Sequence, residues 1–354
     1  VYKRQTLPRD RSYWLPLRVL VIGVASLRLH YCSLLPVNTG DLARHLYHGL
    51  LVLRDGLGSA GTALSDAEST LAHLSWAELP YNYPPLTLLF FTAVAAIAPS
   101  VFFAKLVLTA FEAANAWMIA RYTGHRWLGA LYWASPASIW WVSREGQFEP
   151  LQSLFLIAAI VALRRRPTLA FFLLALAVQV KLLAVLMLPW FLTRAWRWDK
   201  TSRNRSLVAF VIGFLPAVLT ATQYSLLAGL GATAGSLRFN PYFWNFLDPA
   251  IFLWNPLWLI VVNQVASFGL LVLLLLRARV SPEPIAYFAP ISFLALLKGS
   301  MLAQFWYFLM FPAFVLPLRE HRLRFWLIAL TPLLDIYSLL QILAGPFGCC
   351  LLYT

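Results

Sequence analysis

The chain has 354 residues, 60% of them apolar and only 12% charged, with a mean hydropathy of +0.70. Soluble domains are about 45–50% apolar and about 25% charged, so composition excludes a soluble enzyme, a secreted disulfide scaffold and a disordered chain. The 28 Lys and Arg against 14 Asp and Glu give a net charge of +14, yet the basic residues fall in short clusters between apolar runs, which marks the cytoplasmic loops of a polytopic membrane protein and not a nucleic-acid-binding face.

The ends come first. The DNA word GTGTATAAGAGACAG encodes Val1–Gln5, and its reverse complement, shifted by one base, encodes Cys350–Thr354. Residues 1–5 and 350–354 are therefore expected to be adapter-derived, leaving 6–349 as one transmembrane domain, read as a fragment open at both ends. Cys32 and Cys349 remain, and neither pattern predicts a disulfide or a metal site.

A membrane span needs about 20 apolar residues. The first, Trp14–Pro36, follows Arg9 and Arg11, so its N-terminal end is expected to be cytoplasmic. Residues 37–99 then form an external loop containing amphipathic and interfacial helices. Its run Pro84–Pro99 is too short for a full crossing and opens with Pro-Pro, and it is expected to be interfacial or re-entrant. Further apolar runs are Val101–Ala120, Trp127–Val142, Pro150–Leu163, Pro167–Thr193, Ser206–Ala228, Trp254–Leu276, Pro284–Leu297, Met301–Leu318 and Phe325–Ala344.

Basic clusters separate these runs, among them Arg164–Arg166, Arg194 to Arg205 and Arg319 to Arg324. Placing every cluster inside requires Pro167–Thr193 to be two short helices turning near Lys181. The expectation is an all-α fold with about eleven crossings. This scheme sends Asp41, the loop Arg144–Glu149, Lys181 and the stretch Lys298–Gln304 to the external ends of helices.

Several of these residues bear chemistry. Asp41, directly after the first span, would serve either as a cap for the helix that follows or as a general base at the membrane boundary. Tyr81 and Tyr83, ahead of Pro84-Pro85, would be interfacial anchors or the walls of a sugar pocket. The loop Arg144-Glu145-Gly146-Gln147-Phe148-Glu149 is charged because it is wet, or because Gln147 and Glu149 bind sugar hydroxyls while Arg144 faces a phosphate. Lys181 interrupts an apolar run, the mark of a functional or snorkelling cation. Lys105 and Glu112 share a helix face and are expected to pack polar neighbours. Phosphate-loop, zinc-protease and nucleophile-elbow motifs are absent from the sequence.

In order, Gly40-Asp41-Leu42-Ala43-Arg44-His45, Trp76, Tyr83-Pro84-Pro85-Leu86-Thr87, Gly146-Gln147-Phe148 and Lys181 before Pro189 resemble the motifs of the GT-C superfamily of membrane glycosyltransferases. The nearest pattern is that of enzymes using dolichyl- or polyprenyl-phosphate glucose or mannose. The similarity covers roughly residues 36–195, and Lys298–Tyr307 stands where the C-terminal motif of the eukaryotic enzymes would be.

The resemblance implies Asp41 as general base and inverting transfer of a hexose from a polyprenyl-phosphate donor to a lipid-linked or glycan acceptor. Lys181, Arg144 and Lys298 would stabilise the leaving phosphate. Arg44, His45, Tyr81, Tyr83, Glu145, Gln147, Glu149 and Gln304 would line the sugar and acceptor sites. No cofactor, metal or nucleic acid is expected, and membrane lipids are the surrounding partners. The expected location is the bacterial inner membrane, with the active site facing outside. The rival reading is a transporter or lipid flippase, which also carries intramembrane charges.

Cysteines at Ser59 and Gly235 should label with a membrane-impermeant thiol reagent from outside, and one at Ser202 only after permeabilisation. The reverse pattern would put Asp41 in the cytoplasm.

Overall fold

The computed structural model describes residues 14–36, 40–67, 74, 77–220, 284–299 and 309–331, with isolated positions between 265 and 277. Among the described residues every regular element is helical and there is no strand. Among the described residues three helices are long and apolar enough to cross a membrane: Leu15–Ser33, Val101–Thr123 and Lys200–Thr220. They belong to α1 (Trp14–Ser33), α5 (Val101–Thr123) and the pair α11 (Lys200–Gly213) and α12 (Leu215–Thr220). Leu15, Val19 and Ile22 on α1 and Val211, Val218 and Leu219 on α11 and α12 point outward, an apolar surface suited to lipid and not to water.

Between α1 and α5 lies the loop that the sequence assigns to the outside. It holds α2 (Gly40–Asp55), the single turn α3 (Leu64–Ala67) and α4 (Pro85–Ile97). Pro85 opens α4, where its missing N–H has no partner to lose. With 13 residues, α4 is about 20 Å long at ~1.5 Å per residue, short of a ~30 Å hydrocarbon core. It lies along α2 so closely that a Cβ on Gly49 would come within 2.7 Å of the Phe91 carbonyl oxygen.

After α5, the run expected as one helix over Trp127–Val142 is broken. It forms α6 (Arg126–Trp133), the short α7 (Pro136–Ser138) and a π-helical turn over Ile139–Arg144. The cause is local. Pro136 cannot donate to the ladder, and Ser135 caps the new start by accepting from the Ser138 N–H at 3.4 Å.

The chain then runs through α8 (Glu149–Ala162), α9 (Pro167–Val180), a 3₁₀ segment over Leu182–Met187 and α10 (Leu188–Ala195). Phe171 and Phe191, ten residues either side of Lys181, touch with ring centroids 5.5 Å apart. The segment Pro167–Ala195 is thus a hairpin turning at Lys181. Glu149 and Lys181 lie at one end of this bundle. Arg164, Arg197 and Arg319 lie close enough to Arg194 at the other end to act on its charge. The helices between are each about 20 Å long, so the basic clusters and the Lys181 end are well separated.

Gln179, two residues before Lys181, repairs another irregularity. Its Nε2 donates to the Gly213 carbonyl and its Oε1 accepts from the Ala217 N–H at 3.0 Å. Those two groups would be one rung of a continuous α-helix; a side chain inserted between them separates α11 from α12. Later elements are α13 (Phe288–Gly299), α14 (Phe311–Val315) and a helix over 321–331. Phe293 and Phe314 stack between α13 and α14 at 4.8 Å within a core shared with α8, α9 and α10.

Three charged residues inside the apolar helices each hold several partners. Arg28 on α1 is fully buried and donates to the Trp133 carbonyl (2.6 and 3.1 Å), the Ser138 hydroxyl (2.8 Å) and the Ser143 hydroxyl (3.0 Å). Glu112 on α5 accepts from the Ser138 hydroxyl and from Tyr132 at 2.8 Å. Ser138 therefore bridges the two opposite charges. Lys105 donates to the Tyr31, Leu34 and Arg144 carbonyls, joining the end of α1 to the end of the π turn.

Arg28→Met should lower the thermal stability of the detergent-purified protein by about 3–5 kcal/mol, because it leaves Glu112 buried beside no cation. Arg28→Met with Glu112→Gln should cost less than the sum of the single changes. Strict additivity would mean the two charges act separately.

Candidate active site

The site is built from segments far apart in sequence. The first is the start of α2, where Asp41 occupies the first turn, the positive end of the helix dipole, which favours a carboxylate. Asp41 is half-buried and close enough to Glu149 for the two carboxylates to repel. One turn on, buried Arg44 donates through Nη2 to the Pro80 carbonyl (3.1 Å) and the Asn82 side-chain oxygen (3.3 Å). These bonds tie α2 to the Tyr81–Tyr83 segment.

His45 sits at the centre of an aromatic cluster. It stacks on Phe91 at 4.7 Å and meets Tyr83 and Phe148 edge-on at 4.9 and 5.1 Å. Its Nδ1 lies 3.1 Å from the Tyr81 hydroxyl. Burial first, then the charges of Arg44 and Lys181, hold His45 well below the ordinary histidine range. Held neutral in this way, it packs among the aromatic rings without offering a positive charge to an anion.

The second segment is the loop after the π turn. Gly146 has φ +80, a conformation open to glycine and strained for other residues. A Cβ there would also fall 2.3 Å from Leu42 Cδ2 on α2. Glycine thus lets the loop close on the helix that carries Asp41. The Gln147 N–H donates to the Trp141 carbonyl at 2.8 Å and the Glu145 N–H to that of Trp140 at 3.0 Å. The side chains of Glu145, Gln147 and Glu149 are buried. Arg144 takes a different direction, packing over the rings of Tyr31 and Trp140 at 5.9 and 5.6 Å.

The third is the bend at Lys181. α9 ends at Val180 and Lys181 is extended, with φ −154 and ψ 129. A helix end leaves carbonyls without partners, and side chains supply them here. Thr87 donates to the Val180 carbonyl at 2.7 Å and Gln152 Nε2 to the Lys181 carbonyl at 2.6 Å. The Lys181 ammonium pairs with Glu149 in a buried ion pair. It lies 5.1 Å from the Phe148 ring centre and 5.9 Å from that of Tyr83, within cation–π range.

Asp41, Arg44, His45, Tyr81, Tyr83, Glu149 and Lys181 therefore meet around one aromatic cluster. Glu145 and Gln147 are buried in the adjoining loop, Glu145 close enough to act on Lys105. Lys298 lies on α13, but its side chain is outside the described residues, as is Gln304 altogether.

Two buried residues escaped sequence reasoning. Gln152 stands three residues after Glu149, hence on the same helix face, and a polar residue there in an apolar run was the available signal. His48 is fully buried, and both ring nitrogens lack hydrogen-bond partners. Nothing in its spacing separates it from the exposed residues of an amphipathic helix. Burial, helped by Arg44, pushes its pKa down to about 3.

That shift sets a pH dependence. Unfolded, His48 takes up a proton below about 6.5; folded, it stays neutral down to about 3. Its contribution to stability is complete above about 6.5 and is lost progressively as pH falls from there toward about 3. Thermal unfolding between pH 7 and pH 4 should show a shallower loss for His48→Leu than for the parent. Equal slopes would place His48 in a wetter setting.

No protein-family model, curated protein or solved structure matches the chain.

Proposed function

We propose that this protein transfers a hexose, mannose or glucose, from a polyprenyl-phosphate-linked donor to a lipid-linked or glycan acceptor at the external face of the bacterial inner membrane. The architecture in this reading is GT-C-like, with about eleven crossings and the Pro84–Pro99 segment at the interface. One observation carries it. Asp41, two tyrosines, Glu149 and Lys181 come from separate segments to one aromatic-walled site, at the end of the hairpin away from its arginine cluster.

The chemistry is an in-line displacement at the anomeric carbon. Asp41 accepts the proton of the acceptor hydroxyl as that oxygen bonds to the carbon. The bond from carbon to phosphate oxygen breaks on the opposite face, its electron pair leaves with the phosphate, and the configuration inverts. Charge growing on the phosphate is stabilised by Lys181, and preorganised cations of this kind are a large part of such catalysis. Glu149 is a poorer base than Asp41 because it is already committed to Lys181. The aromatic walls of Tyr83 and Phe148 suit the apolar face of a sugar ring.

The rival reading, a transporter or lipid flippase, draws on the buried Arg28 and Glu112. Their hydrogen bonds are directed to one another's neighbours and to backbone carbonyls, as expected of a structural clamp.

Incubation of the full-length protein with a panel of polyprenyl-phosphate sugars is the direct test. Asp41→Asn should cut transfer by ~10²–10⁴-fold with donor binding nearly unchanged. Lys181→Ala should weaken both binding and turnover. Near-normal transfer by Asp41→Asn at equal expression would remove Asp41 as the base.

A further inference from the structure

The cation assigned to the donor phosphate is already neutralised. Glu149 is wholly buried, with one carboxylate oxygen on the Lys181 ammonium and the other without a partner. Asp41 lies close enough to repel it. The pair is part of a closed ring, since Gln152, one turn after Glu149, holds the Lys181 carbonyl. Two more buried acceptors, Gln152 Oε1 and Ser153 Oγ, also lack partners. This end of α8 is therefore rich in unpartnered acceptor oxygens. The complementary ligand brings hydroxyl donors and little negative charge.

Resting on the donor-phosphate reading given above, we propose that Glu149 sets the charge tolerance of the site. It holds Lys181, and a lipid phosphate must exchange with it. Asp41 lies close enough to repel Glu149, which itself holds the Lys181 ammonium, so every additional negative charge on the ligand meets repulsion. A lipid monophosphate is accepted and a lipid diphosphate is turned away. Glu149 is in this sense a specificity-determining residue, acting by repulsion of the wrong ligand as much as by attraction of the right one.

The test is direct binding of a short-chain polyprenyl monophosphate, and of the corresponding diphosphate, to the full-length protein in nanodiscs. The unmodified protein should bind the monophosphate more tightly; the opposite order overturns the proposal even if no variant folds. Glu149→Gln keeps the shape and removes the charge, and should tighten the monophosphate about tenfold and the diphosphate by a larger factor, as expected when a nearby like charge is removed in a partly desolvated site. Unchanged or weaker binding of both overturns it. Lys181→Met separates the two levels. If it abolishes binding while Glu149→Gln has no effect, Lys181 remains the phosphate site and only the role of Glu149 fails. If Lys181→Met binds like the parent, the phosphate site itself is wrong.

Discussion

The interruption of the helix at Lys181 is the constraint on which the site depends. A continuous helix through this segment would point the ammonium wherever the helical register dictated. It would also leave no reason for Thr87 and Gln152 to approach. Because α9 stops at Val180, two backbone carbonyls become available. Thr87, from the Tyr-Pro-Pro-Leu-Thr segment, and Gln152, from the first turn of α8, satisfy them. The bend is thereby fixed to the Tyr83–Thr87 segment and to the start of α8 by bonds that a buried carbonyl cannot do without. The ion pair with Glu149 then orients the ammonium.

A second layer of polar bonds supports the first from beneath. Lys105 gathers carbonyls from the end of α1 and the π turn. Arg28 and Glu112 each bind both sides of the α6–α7 break. In an apolar interior such groups are tolerated when their hydrogen-bonding capacity is used. Here it is used at the place where the helix is broken and extra carbonyls need donors. The π turn and its buried partners fix where the Gly146 loop emerges, and the loop meets Leu42 of α2 at that point.

Much of this was legible in the sequence, for physical reasons. Apolar run lengths and basic clusters are properties of composition, so the all-helical class and the turn at Lys181 could be read from them. Lys181 stood out because it interrupts an apolar run, Asp41 because it directly follows the first span, and Tyr83 because it precedes Pro84-Pro85. Legibility failed where tertiary bonds decide. Pro136 and Ser135 break a run whose hydropathy is continuous, and hydropathy does not register a missing donor. Arg144 carries the same charge as Lys181, but its neighbours Tyr31 and Trp140 draw it to their rings. The Lys181–Glu149 pair joins residues from different helices, which spacing along one helix cannot reveal.

The Gln179 wedge has a consequence for how the bilayer reaches the candidate site. Gln179 grips the bend between α11 and α12, and two residues later the same strand of chain becomes Lys181. The outward faces of α11 and α12 carry Val211, Val218 and Leu219, side chains whose comfort depends on hydrocarbon thickness. Tilting of that helix pair in a thinner or thicker membrane would bear on the segment that positions the ammonium, through the Gln179 amide and the packing of Gly213 on α9. The lipid surroundings thus have a mechanical route to the polar centre, one that needs no lipid headgroup to bind there.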